Sequence, residues 1–401
     1  MGEMFEHLKE HDDEFHMNTY ARKDVLFVSG KGMRLYDDDG REYLDFMSGI
    51  GAVNLGHTHP AVVAAVQEQV AKLTHVSNVF HVEHRAELAG DLVTLAGDGF
   101  KVHFANSGTE ACEAAIKLAR KRSKERKGDD AYEIVTALRG FHGRTMGSLA
   151  ATPQPAKQDP FAPMLPGFTY VPLNDIEALE AAVGPNTAAV MLEPIQGEGG
   201  VYPCTSEYLE AARALCDAHD AALVLDEVQT GFFRTGPAFA HQAYGVRPDL
   251  MPLAKAMANG LPIGALLAYE GFSEYFSPGD HGSTFAGGPV ICAAGCATIH
   301  ALACEGLGEN AIEVGAYLRD ALIDLGERTG AITEVRGAGL MVAAQLAEPI
   351  AGDIADAALT KGLVLNNVGE NILRFLPPLV CGTTEIDTLC AVLYELFDGE
   401  E

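Results

Sequence analysis

From Gly56 onward, compact apolar runs of strand length alternate with amphipathic runs of helix length. Residues 61–73 carry a helical period. Residues 101–104 form a short strand, and the helix over 111–127 that follows has a strongly basic outer face. The runs 132–138, 188–192 and 221–225 have strand length, and a helix over 207–219 joins the last two. Parallel strands need a crossover of about a dozen residues, usually a helix, so the alternation predicts a mainly parallel sheet wrapped by helices. This is an α/β fold, in which ligands bind outside the carboxyl ends of the strands.

The pattern changes near residue 300. A long helix over 309–328 precedes strand pairs within 335–346 and 363–376, and a last helix covers 385–397, which reads as a smaller α+β domain. Near the start, residues 33–36 and 41–46 flank an Asp39-Gly40 turn, a hairpin signal. The expected division is an N-terminal segment (1–55) packing with the small domain, a large domain (56–300) and the C-terminal small domain (301–401). No internal repeat or low-complexity linker interrupts it.

Charge narrows the partners. The chain has 28 basic and 56 acidic residues, a formal net charge of −28. Such a surface repels phosphate backbones and anionic lipid, so no nucleic-acid or membrane role is expected. The first fifteen residues are acidic and lack the apolar core of a signal peptide. The longest uncharged stretch, 281–304, is rich in Gly and Ala and suits a helix packed inside a soluble core. Eight cysteines include no C-x-x-C, and they read as buried apolar thiols in a reducing compartment, the cytoplasm.

No P-loop is present, and Gly337-Ala-Gly339 lacks the third glycine of a dinucleotide fingerprint. The pairs His7/His11, His57/His59 and His81/His84 have no evident third ligand, so no metal is expected. Three other segments carry chemistry. Phe104-Ala-Asn-Ser-Gly-Thr-Glu110 ends a strand and opens a helix, either as a phosphate seat at Gly108 and Thr109 or as a simple Ser107/Glu110 capping box. Asp226 ends the apolar strand 221–225. It is either a partner for a cation or protonated ring nitrogen, or a turn cap. Lys255 lies among mostly apolar residues, where burial would lower its pKa and free its amine for a Schiff base, although a snorkelling lysine has the same signature. Together a phosphate seat, a carboxylate and a desolvated lysine match the needs of pyridoxal 5'-phosphate.

At this point the chain resembles the class III aminotransferases of fold type I, most closely their acetylornithine-type members. The resemblance runs from about Tyr20 to Leu396. It rests on Asn106-Ser-Gly-Thr-Glu, Phe141-His-Gly-Arg-Thr, Glu193-Pro-Ile-Gln-Gly-Glu-Gly-Gly, Leu225-Asp-Glu-Val-Gln-Thr-Gly, Leu253-Ala-Lys, Gly279-Asp-His-Gly-Ser-Thr-Phe and Leu373-Arg-Phe-Leu-Pro-Pro-Leu. It implies that Lys255 is the Schiff-base lysine and proton carrier, and that Asp226 pairs with the pyridinium nitrogen. It implies that Gln229 bonds near the ring hydroxyl, that Gly108 and Thr109 hold the phosphate, and that Phe141 stacks on the ring. Thr284 is expected to reach the phosphate of a neighbouring subunit in a homodimer with shared sites, with Ser283 touching substrate. Arg144 and Arg374 resemble the carboxylate clamps, and Glu198 the residue that covers Arg374 when an amine-ended donor is bound. A dicarboxylate such as 2-oxoglutarate needs two fixed cations, which arginine supplies in bidentate form.

The implied reaction moves the side-chain amine of N2-acetylornithine to 2-oxoglutarate. The alternatives are succinyl-diaminopimelate, succinylornithine, ornithine or 4-aminobutyrate as donor, or an aminomutase, racemase or decarboxylase on the same scaffold. Where the family usually has Val-Gly-Arg-Thr-Gly, this chain has Phe232-Phe233-Arg234-Thr235-Gly236, and Cys112 replaces a usual Asn. The two phenylalanines are expected to narrow the substrate pocket.

Overall fold

The computed structural model describes residues 3–398. Its centre is a seven-stranded sheet. In chain order the strands are β1 (Phe100–Ala105), β2 (Glu133–Ala137), β3 (Phe168–Val171), β4 (Thr187–Leu192), β5 (Ala222–Leu225), β6 (Leu250–Leu253) and β7 (Gly264–Tyr269). Their spatial order is β1-β7-β6-β5-β4-β2-β3. β7 runs against both its neighbours, and the other six strands point the same way.

β4, β5 and β6 are buried at every position. A strand with both faces covered reads as a continuous apolar run, and that is how residues 188–192 of β4 and the whole of β5 read. Alternate side chains feed opposite layers. Leu223 and Leu225 pack with Tyr208, Leu209 and Ala212 of the helix Ser206–Ala218, whereas Ala222 and Val224 pack with Ala115 and Leu118 of the helix Gly108–Lys127.

Four more strands form an antiparallel sheet: β8 (Ile332–Ala338), β9 (Met341–Leu346), β10 (Asn366–Val368) and β11 (Ile372–Phe375), in the order β8-β9-β11-β10. The helices Leu307–Thr329, Ala351–Thr360 and Thr383–Asp398 accompany it. The N-terminal hairpin, Arg34–Asp37 with Glu42–Asp45, is widened by Phe27–Lys31 on one side. On the other it accepts Leu363–Val364 in parallel, Leu363 opposite Leu44. Residues 363–376 therefore serve two sheets, where the sequence suggests one strand pair. The uncharged stretch 281–304 is helical only over Pro289–Cys304, because Gly282, Gly287, Gly288 and Pro289 interrupt its first third. Among the described residues no single helix is long and apolar enough to cross a membrane.

Candidate active site

The six parallel strands all open onto one edge, and five of them carry a site residue just beyond the carboxyl end. β1 leads into Asn106–Gly108, β2 into Phe141–Arg144, β4 into Glu193, β5 into Asp226 and β6 into Lys255. β7 enters from the same edge, with Leu261, Pro262 and Ile263 before it. Gly108, Thr109, Phe141, Arg144, Glu198, Asp226, Gln229 and Lys255 thereby line one cavity of about 470 Å³.

Asp226 is 4 % exposed. Its Oδ2 accepts from His142 Nδ1 at 2.7 Å and from the Cys112 thiol at 3.3 Å, and its Oδ1 from the Val228 N–H at 3.0 Å. Burial works against the charge of His142, but the bond and charge of Asp226 outweigh it and raise its pKa above the ordinary 6.5. Glu193 accepts from the N–H groups of Phe141 (2.8 Å) and Gly197 (3.0 Å), and burial pushes its carboxyl up to about 7.

The helix Gly108–Lys127 starts at this edge. Ser107 Oγ accepts from the Glu110 N–H at 3.3 Å, as in a capping box. Glu110, however, reaches back to the N–H of Asn106 at 2.7 Å, one residue earlier than such a box requires. The i→i−4 ladder begins only at Ala111, which leaves the N–H groups of Gly108 and Thr109 ahead of it. Thr109 Oγ1 sits among the hydroxyls of Thr145 (2.9 Å) and Ser148 (2.6 Å). Gly108 has no room for a side chain, since a Cβ would meet Val228 Cγ1 at 2.9 Å.

Lys255 holds a left-handed backbone (φ +42°) immediately after β6. Burial lowers its amine below 10.5; Glu198 opposes this and Arg374 adds to it. Arg374, 1 % exposed on β11, donates Nη1 to Glu198 Oε1 at 2.6 Å and to Gln229 Oε1 at 3.3 Å. Its Nε and Nη2 both donate to Asn366 Oδ1 on the adjacent β10, at 2.9 and 2.6 Å. Burial would raise the Glu198 carboxyl, but Arg374 holds it below the usual range. Arg374 and Glu198 face a second cavity of about 780 Å³ next to the first. The Arg144 side chain is exposed, with its guanidinium carbon 5.7 Å from the Phe141 ring centre.

Two expectations need revision or qualification. Phe232 and Phe233 do not wall either cavity. Arg234 is fully buried and donates to the carbonyls of Leu340 (3.0 Å) and Pro377 (2.5 Å) and to Asn54 Oδ1 (2.5 Å), and this turns Phe232 into the core against Phe239. Thr284 is exposed and outside the cavity of its own chain, while Ser283 Oγ accepts from Asn106 Nδ2 at 2.8 Å at the pocket's edge. Neither His142 nor Glu193 was given a role from sequence, although both stand inside recognised motifs. Asn366 gave no sequence signal.

These groups fit pyridoxal phosphate. A buried, hydrogen-bonded carboxylate suits a protonated ring nitrogen, and free N–H groups with a hydroxyl at the start of a 20-residue helix suit a phosphate.

The comparisons agree. The profile of the family "Aminotransferase class-III" matches residues 17–397, and the chain belongs to that family. It is a pyridoxal-phosphate-dependent aminotransferase. Among its relatives, the acetylornithine aminotransferase of Caldanaerobacter subterraneus is 46 % identical over 96 % of this chain and 97 % of its own. That of Methanocaldococcus jannaschii is 46 % identical over 96 % of both chains. A solved ornithine aminotransferase from Toxoplasma gondii, described with PLP at partial occupancy in its active site, superposes with a TM-score of 0.92 at 32 % identity, covering 98 % of this chain and 94 % of that one.

Proposed function

We propose that this enzyme transfers the side-chain amine of N2-acetylornithine to 2-oxoglutarate, yielding N-acetylglutamate 5-semialdehyde and glutamate. The observation that carries the reading is the Arg374–Glu198 pair at 2.6 Å. An enzyme whose donors all carry an α-amine beside a carboxylate needs Arg374 bare. One that admits an ω-amine donor first needs it neutralised. The acetylornithine aminotransferases at 46 % identity support the acylated donor.

In this reading residues 56–300 bind the cofactor, and residues 1–55 join 301–401 as a small domain that supplies Arg374. Asp226, fixed by His142 and Cys112, holds the ring nitrogen. Gly108 and Thr109 hold the phosphate, Phe141 covers a ring face and Gln229 sits by the ring hydroxyl. Bound pyridoxal phosphate supplies an aldehyde for amine exchange and a ring that withdraws electrons from the substrate carbon. Lys255 Nζ, whose pKa burial lowers, takes the proton from that carbon and returns it. Arg144, exposed at the mouth, binds the donor's distant carboxylate. With 2-oxoglutarate, Arg374 takes the near carboxylate once Glu198 has swung away and Arg144 takes the far one. We further propose a homodimer in which Ser283 and Thr284 serve the partner's site. The eight free cysteines fit a cytoplasmic enzyme.

A panel of acetylornithine, ornithine, 4-aminobutyrate and succinyl-diaminopimelate, read by glutamate formation, tests the reading. Acetylornithine should give the highest kcat/KM. Ornithine is the second reading because of the 0.92 TM-score to an ornithine aminotransferase, and a preference for it would replace the first. Turnover without glutamate would point to an isomerase.

A further inference from the structure

A second group of metal-type ligands lies away from the cofactor cavity. The helix Arg85–Ala96 packs on the helix Pro289–Cys304, and Gly295 permits the close approach, since a Cβ there would meet Leu88 Cδ2 at 2.8 Å. At this junction His84 Nδ1 lies 3.0 Å from Glu87 Oε2, and the Cys296 thiol points at the His84 carbonyl at 3.6 Å. The three ligand atoms of His84, Glu87 and Cys296 all lie within 4.8 Å of one another.

Helical spacing extends the group. Asp91 follows Glu87 by one turn, and His300 follows Cys296 by one turn, so both face a cavity of about 490 Å³ that Glu87 and Cys296 also line. Two carboxylates share this space, and among the described residues neither is paired with a lysine or arginine.

We propose that His84 Nδ1, a Glu87 carboxylate oxygen and Cys296 Sγ bind a zinc-type divalent cation at this helix junction, with the fourth position facing Asp91 and His300. Nitrogen, oxygen and sulfur donors together suit a borderline-soft ion rather than magnesium or calcium. Zinc bonds of about 2.0–2.3 Å put ligand atoms roughly 3.3–3.7 Å apart, a spacing these side chains reach by small rotations. On binding, Cys296 gives up its bond to the His84 carbonyl and releases its proton to solvent, with no change of redox state. The ion would clamp the two helices and, through Arg85 Nε on the Gly287 carbonyl at 2.8 Å, steady the segment that carries Ser283 and Thr284.

The test uses the whole protein loaded with pyridoxal phosphate, so that Cys112, His142 and Asp226 lie behind the cofactor, and stripped of metal by a chelator. Zn²⁺ alone is added, and Co²⁺ serves as the absorbing probe. We expect one equivalent of Zn²⁺ per chain, a sulfur-to-cobalt charge-transfer band, and a rise in melting temperature. Cys296→Ser should abolish the band, and Cys296→Ser and His84→Gln should each weaken Zn²⁺ binding by about 100-fold or more. Both variants should melt like wild type in chelator, which shows that they fold. Absence of uptake from micromolar Zn²⁺, or uptake that either variant leaves unchanged, overturns the proposal.

Discussion

Single residues at the site act through the charges they hold in place. Glu198 and Arg374 are 2.6 Å apart, and a charge-assisted bond of this kind is worth about 1.5–3 kcal/mol. In the proposed reading, releasing it would shift donor preference on the order of ten- to a hundred-fold. Glu198→Ala should therefore raise the half-reaction efficiency with glutamate and lower it with acetylornithine, as read in single-turnover spectra. If both efficiencies fall together, the carboxylate only supports the turn. His142 is the residue that chemistry demands and sequence inspection passed over, because one histidine inside a motif carries no spacing signal. Its pKa is raised in the folded chain, so its pairing with Asp226 stabilises most below the ordinary value of 6.5 and fades as pH rises through the folded value. Thermal unfolding of the cofactor-free protein should show wild type losing its advantage over His142→Gln as pH is raised from 6 to 9. A constant gap would show that the imidazole is a neutral spacer.

At the scale of elements, the site depends on how closely strand ends pack. Gly264 opens β7 against the Ser107–Gly108 turn, where a Cβ would lie 2.3 Å from the Ser107 carbonyl oxygen. Gly264→Ala should cost about 1–3 kcal/mol and weaken pyridoxal phosphate binding, because the proposed phosphate seat at Gly108 and Thr109 must move. Gly90 gives the opposite sign: it sits exposed inside the helix Arg85–Ala96 with nothing near its missing Cβ, so Gly90→Ala should stabilise by about 0.5–1 kcal/mol. Denaturant midpoints of the two variants, with a cofactor titration of the first, check both. The same elements show what the sequence made legible. β4 after Thr187 and the whole of β5 are apolar and bounded by turns, so their strands and Asp226 at the end of β5 could be read directly. β6 was missed because Pro252 lies within a central strand, where proline normally argues against one. It is tolerated because Leu250, Met251 and Leu253 stay paired with β7, and the Pro252 carbonyl accepts from the Glu227 N–H at 3.1 Å. The Arg374–Asn366 contact is set by β10 lying beside β11, a register that local pattern does not encode.

At the scale of the whole molecule, Thr284 stands outside the cavity that its own chain builds, as the proposed shared-site dimer requires. Thr284 is exposed, and its neighbour Phe285 is 67 % exposed, with Val79 and Phe80 also uncovered on the segment whose Asn78 Nδ2 bonds the Ser283 carbonyl at 2.9 Å. Bulky apolar side chains grouped around a loop of Ser and Thr suit a face that a second copy covers, and in a two-fold dimer each loop would meet the other's site. Two defects in different chains can then complement. A Lys255→Ala chain keeps a sound Thr284, and a Thr284→Ala chain keeps a sound Lys255. In their hybrid, one site combines both intact residues and the other combines both defects. Random assortment makes half the dimers hybrid, so the mixture should recover about a quarter of wild-type activity. The assay is run at a cofactor concentration where Thr284→Ala dimers are largely empty, after the subunits have been exchanged by mild denaturation. Activity that never exceeds the average of the two parents would mean that Thr284 serves its own chain or none, and the shared-site dimer would fail with it.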